Sequence, residues 1–131
     1  MLQRDNRYRL KPNEVELIEK MRESETRNIL VIGDLHEPFC LEGYLEFCKE
    51  QYKVHNCNQV IFIGDIIDAH GFSYHEPDPD GMSSGLELET AIKKIAKWYE
   101  AFPVADVMIG NHDRMASRKA MSGGIPAAWI R

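Results

Sequence analysis

Three short apolar runs stand out along the chain: Ile29-Leu30-Val31-Ile32, Val60-Ile61-Phe62-Ile63, and Val104 to Ile109. Each ends in glycine followed by a polar residue, at Gly33-Asp34, Gly64-Asp65 and Gly110-Asn111. Partly β-branched runs of this kind read as strands buried on both faces. Between them the apolar positions change period. Leu41, Tyr44, Leu45 and Cys48 recur at helical offsets within 41–53. Leu88, Ile92, Ile95, Ala96 and Tyr99 do the same within Leu86 to Phe102, where Pro103 closes the helix. Strand, helix, strand, helix, strand predicts an α/β fold with a parallel βαβαβ core. Right-handed crossovers then bring all three strand ends to one edge of the sheet.

The flanks read differently. Residues 1–12 are polar and basic, with Arg4, Arg7, Arg9 and Lys11, and predict an arm. A short amphipathic helix follows, with Asn13 as its cap and Val15, Leu17, Ile18 and Met21 as its apolar positions. Residues 1–27 are therefore read as an arm and short helix, and residues 28–131 as a partial domain. Residues 69–85 are rich in Gly, Pro, Ser and Asp and predict a long loop of the kind that carries function.

Composition narrows the partners. Of the 131 residues 16 are basic and 21 acidic, a net charge of −5, which excludes bulk electrostatic binding of nucleic acid. A locally basic site stays open. Cys40, Cys48 and Cys57 are odd in number and lack C-x-x-C spacing, so they read as reduced thiols. No run is long enough to span a membrane and no signal peptide is visible, so the expected location is cytoplasmic.

The three strand ends carry the chemistry. They read Gly33-Asp34-Leu35-His36, Gly64-Asp65-Ile66-Ile67-Asp68 and Gly110-Asn111-His112-Asp113. Ligands of open parallel sheets bind outside the carboxyl ends of the strands. Asp34 and His36 are two apart and share one side of an extended segment. Carboxylates, imidazole and an amide oxygen form a mixed set that suits Mn, Fe, Zn or Ni better than a hard ion such as calcium.

Taken in order, Asp-x-His, Gly-Asp-x-x-Asp and Gly-Asn-His-Asp resemble the motifs of the calcineurin-like metallophosphoesterases over Asn28 to about Arg114. The resemblance implies a layered α/β/β/α sandwich, of which the three strands form half, and a site for two divalent metal ions. It implies that Asp34 and His36 bind the first metal, Asp65 bridges, and Asn111 binds the second and touches the phosphate. It also implies His112 as the catalytic acid toward the leaving oxygen and Asp68 as the residue that orients it. Arg114 is a candidate phosphate clamp, weighed evenly against a solvated arginine. Arg118 and Lys119 read as a solvated basic face. His70 and His75 read as solvated loop histidines, with a substrate lid or a substitute ligand as the alternative. His55 reads as structural, and Trp98 and Tyr99 as packing residues.

The chain departs from the family pattern in three ways. No histidine follows His112, although the family carries a later histidine and a Gly-His-x-His. Ala69 stands where protein phosphatases of the superfamily have arginine, and the third motif ends in Asp113, not glutamate. The missing ligands imply a chain truncated within its domain, with the rest of the parent protein or a partner supplying them. The expected function is metal-dependent hydrolysis of a phosphomonoester or of a phosphodiester, including nuclease action on nucleic acid or nucleotides, in a stand-alone viral or bacterial member. The alternative is a non-catalytic module that binds phosphate or metal and acts with a partner.

Overall fold

A computed structural model describes residues 11–23 and 26–130. The basic arm, with Arg4, Arg7 and Arg9, lies outside the described residues. Helix α1 spans Pro12–Glu23, β1 Ile29–Ile32, α2 Tyr44–Val54, β2 Gln59–Phe62, α3 Ser84–Ala101, β3 Asp106–Val107 and α4 Met115–Ser122. Short 3-10 turns lie at His70–Phe72 and Ala127–Trp129. The sheet has the order β1-β2-β3, and both pairings are parallel. The βαβαβ core is therefore an open α/β arrangement. Among the described residues no helix is long and apolar enough to cross a membrane.

An unbroken order with two right-handed crossovers leaves both connecting helices on one side of the sheet. That side holds the core: Ile32, Val60 and Phe62 from the strands, Leu35 from the loop after β1, Cys48 from α2, and Trp98 and Phe102 from the α3 end. Trp98 stacks at 6.5 Å on Phe102 and meets Phe62 edge-on at 6.0 Å. On the other side Val31 and Ile63 are about half exposed. The expectation of strands buried on both faces is thus corrected: the apolar run signals a strand, but burial reaches only the face that α2 and α3 cover.

Three further expectations are corrected. Asn13 is not the cap of α1, because Pro12 already occupies the first turn, where its missing N–H costs nothing. The third strand shrinks from Val104–Ile109 to Asp106–Val107, since only these residues pair with β2. Helix α3 turns a different face inward from the one its apolar spacing suggests. Glu87, Ala91 and Trp98 are buried, whereas Leu88, Ile92 and Tyr99 are exposed. The helix starts where Ser83 Oγ accepts the Leu86 N–H at 3.3 Å, an ordinary cap.

The three cysteines are free thiols, with Cys48 buried and Cys40 and Cys57 half-buried. Burial pushes the Cys40 thiol up to about 11, and the nearby Glu37 carboxylate adds to the shift. Only the thiolate reacts. At pH 8 about one Cys40 in a thousand is then ionised. Native Cys40 is expected to resist iodoacetamide at pH 8 and to become reactive as the pH approaches 11. Mass spectrometry of tryptic peptides after timed alkylation checks this, and rapid labelling of folded protein at pH 8 contradicts it.

Candidate metal centre

The three motif loops leave the sheet side by side. Beyond the last ladder pair, the His36 N–H donates to Asp65 O at 3.0 Å and the Glu37 N–H to Ile66 O at 2.9 Å. These bonds continue the β1–β2 pairing into the loops. Three motif residues adopt left-handed backbone: Asp34 at φ 52°, His36 at φ 48° and Asp65 at φ 52°. Non-glycine residues in this region are strained and cluster at functional sites. The second and third loops touch through glycine. A Cβ on Gly110 would lie 2.1 Å from Asp65 Oδ1, and one on Gly64 would lie 2.5 Å from Gly110 N. Only glycine allows this approach.

The arrangement gathers His36, Asp65 and His112, one donor atom of each lying within 4.8 Å of the others. The two imidazoles meet edge-on with ring centroids 4.5 Å apart. One residue holds both. Asp68 accepts at its Oδ1 from His36 Nδ1 at 2.8 Å, and its backbone carbonyl accepts from His112 Nδ1. With each Nδ1–H so occupied, each Nε2 is left to take either a metal ion or a proton. Partners of this sort fix tautomer and ring orientation at metal sites. Asp65 Oδ1 accepts the His112 N–H at 2.9 Å, which ties the second loop to the third. Two imidazoles and a carboxylate are a donor set that fits a divalent transition metal.

Asp34, Asn111 and Arg114 fall outside this three-residue group. The Asp34 side chain is 71% exposed, with Oδ1 at 3.8 Å from His36 Nε2. Asn111 and Arg114 are exposed, before α4. Asp68 faces His36 with its carboxylate and His112 with its carbonyl, an arrangement the motif alone does not predict.

Asp113 emerges as the residue that joins the loops. Its carboxylate accepts from the N–H groups of Asp65 at 2.8 Å, Ile66 at 2.8 Å, Ile67 at 3.2 Å and Gly110 at 2.8 Å. The only sequence signal for this was its place as the last residue of the third motif.

Of the basic residues after that motif, Arg118 is exposed, as expected of a solvated face, whereas Lys119 is half-buried. Lys119 Nζ donates to Ser73 O at 2.9 Å and lies 4.6 Å from the Tyr74 ring centroid. Arg118 lies 5.3 Å from the same ring. Long cationic stems thus grip an aromatic of the 69–85 loop. His70 organises that loop too, since its Nε2 accepts from Asp78 N at 3.2 Å and its ring meets Phe39 edge-on. His75 bonds only locally, through its N–H to Ser73 Oγ at 3.2 Å. His55 caps the end of α2 and contacts Gln51 Oε1 at 3.2 Å. Trp98 is a packing residue, as expected, whereas Tyr99 is exposed.

The calcineurin-like phosphoesterase family model matches residues 27–131. The chain belongs to the calcineurin-like phosphoesterase family. At the level of the family this assigns it to phosphoester hydrolysis supported by divalent metal, and the cluster of donors at the strand ends is where such an ion fits. Comparison with curated proteins and with solved structures gave no match. The partners implied by the family are phosphoester substrates.

Proposed function

We propose that this chain provides the first part of a dinuclear metal centre that hydrolyses phosphoesters, with His112 as its general acid. The observation that carries the reading is the convergence of His36, Asp65 and His112, with both imidazoles backed by Asp68. Asp34 and His36 would hold one ion, Asp65 would bridge, and Asn111 would hold the second. Mn, Fe, Zn and Ni all suit this set. When bound, the ions supply neutralisation of the phosphate charge and an acidified water.

The chain's own residues do the rest. Asp68 holds His36 and His112 through their Nδ1 atoms, which leaves each Nε2 for other partners. Nε2 of His112 can then hold a proton for the departing oxygen while Nδ1 stays engaged with the Asp68 carbonyl. Asn111 and Arg114 would meet phosphate oxygens, and the planar guanidinium suits two of them at once. The free thiols agree with a reducing, cytoplasmic setting.

The test is hydrolysis of bis-p-nitrophenyl phosphate and p-nitrophenyl phosphate with added Mn²⁺, for wild type and His112→Ala. Loss of a general acid is expected to lower turnover by about a hundredfold or more. The ratio of diester to monoester turnover assigns the substrate class, nucleotide or nucleic-acid diesters included. Metal uptake without turnover in either protein would replace the enzyme reading by a metal-binding module that acts with a partner.

A further inference from the structure

The inward stripe of α3 carries polar anchors that the chemistry above does not use. Glu37, next to His36, is 4% exposed. Its Oε1 accepts from the Trp98 indole N–H at 3.0 Å. Its Oε2 is buried with no hydrogen-bond partner among the described residues and lies 4.0 Å from Lys94 Nζ. The Lys94 ammonium also donates to the Pro38 carbonyl. The backbone of Glu37 is meanwhile held by the loop after β2. Its N–H donates to Ile66 O at 2.9 Å, and its carbonyl accepts from Asp68 N at 3.0 Å. One residue thus has its side chain on α3 and its backbone on the loop of Asp65 and Asp68. Nearer the start of the same helix, Glu87 is equally buried. Its carboxylate accepts from His70 N at 2.7 Å and Gly71 N at 2.9 Å, which holds the other end of that loop.

Burying a carboxylate against an aromatic core is costly, and an apolar residue would fill the same space at less expense of desolvation. What the carboxylate adds is direction. We infer that Glu37, gripped by Trp98 and Lys94, is a positioning residue that sets the His36 loop against the Asp65–Asp68 loop and so fixes the donor geometry before a cation arrives. It acts through the backbone and touches neither donor atoms nor substrate. Its consequence for metal affinity rests on the metal reading proposed above. Its consequence for loop order does not.

Two variants of the full chain test this: Trp98→Phe, which strands the buried carboxylate, and Trp98→Phe/Glu37→Leu, which removes it. Three quantities are read: the urea midpoint, Mn²⁺ affinity by calorimetry, and amide hydrogen exchange of the metal-free proteins. Trp98→Phe is expected to lose stability and about tenfold in Mn²⁺ affinity. In the double variant both partners are apolar, so stability should recover. Mn²⁺ affinity should stay about tenfold down, and the amides of His36, Glu37 and Asp68 should exchange faster than in wild type. Recovery of wild-type affinity and exchange along with stability would overturn the inference, because Glu37 would then only fill space. If the wild type takes up no Mn²⁺, the metal reading fails, and the exchange of those three amides still decides the role of Glu37.

Discussion

Asp65→Asn is expected to abolish tight metal binding and to lower metal-dependent turnover by about a thousandfold, the loss of several kcal/mol of charge stabilisation. The substitution isolates the charge. Asparagine tolerates the left-handed backbone that Asp65 adopts at φ 52°. Its amide oxygen can still accept the His112 N–H that Asp65 Oδ1 accepts at 2.9 Å. The shape of the loop and the contact between the second and third motifs should therefore survive. Calorimetry with Mn²⁺, steady-state hydrolysis and a urea curve check the three parts separately. An unchanged urea midpoint with no metal uptake is the expected outcome. Retained Mn²⁺ affinity would remove Asp65 from the centre of the site.

Asp113→Ala should act on the fold itself. Four backbone N–H groups, from Asp65, Ile66, Ile67 and Gly110, converge on this one carboxylate. Bonds to a charged acceptor are each worth about 1.5–3 kcal/mol, and a buried donor left without one costs about 1–3 kcal/mol. Water can reach part of this half-buried place, so the net loss is expected near 3 kcal/mol and not at the sum of four bonds. Equilibrium unfolding in urea measures it. Asp113→Asn keeps one acceptor oxygen and should fall between. A loss under about 1 kcal/mol for the alanine variant would mean that the loops hold their shape without this carboxylate.

The first two strands and the places where they end were legible because an apolar run that stops at glycine and a polar residue has few other meanings. The runs at Ile29 and Val60 appear within a residue of their expected limits. The fold class follows from their alternation with helices. Other features were opaque for physical reasons. The inward face of α3 carries the buried Glu87, with the half-exposed Lys94 beside it, and hydrophobic spacing misplaces a face that holds loop backbone. The reach of Asp113 was hidden because its partners are backbone donors, which leave no trace in side-chain identity, and those on the second loop lie up to 48 positions away. Helix α4 was not anticipated, since its few apolar positions make no pattern. The grip of Arg118 and Lys119 on Tyr74 depends on a loop path that composition does not encode. Within the site, motif order brought His36, Asp65 and His112 forward, but not that Asp68 would serve both histidines.

The donors stand on the loops that follow neighbouring parallel strands, with Asp65 after the middle one, and this has a consequence for how such a protein can change over time. The place of each loop is set by the ladder below it, in which neighbouring strands repeat about every 4.8 Å. The spacing of the loops that carry the site is therefore set by the peptide ladder and not by which side chains fill the core. Substitutions on the outer surfaces of α2 and α3 can accumulate without altering that spacing. A slip of one residue in strand register would destroy the site at once, because every side chain would turn to the opposite face. Lineages built on this frame are free to drift almost everywhere except in the alignment of three short strands and the residues that hold their ends.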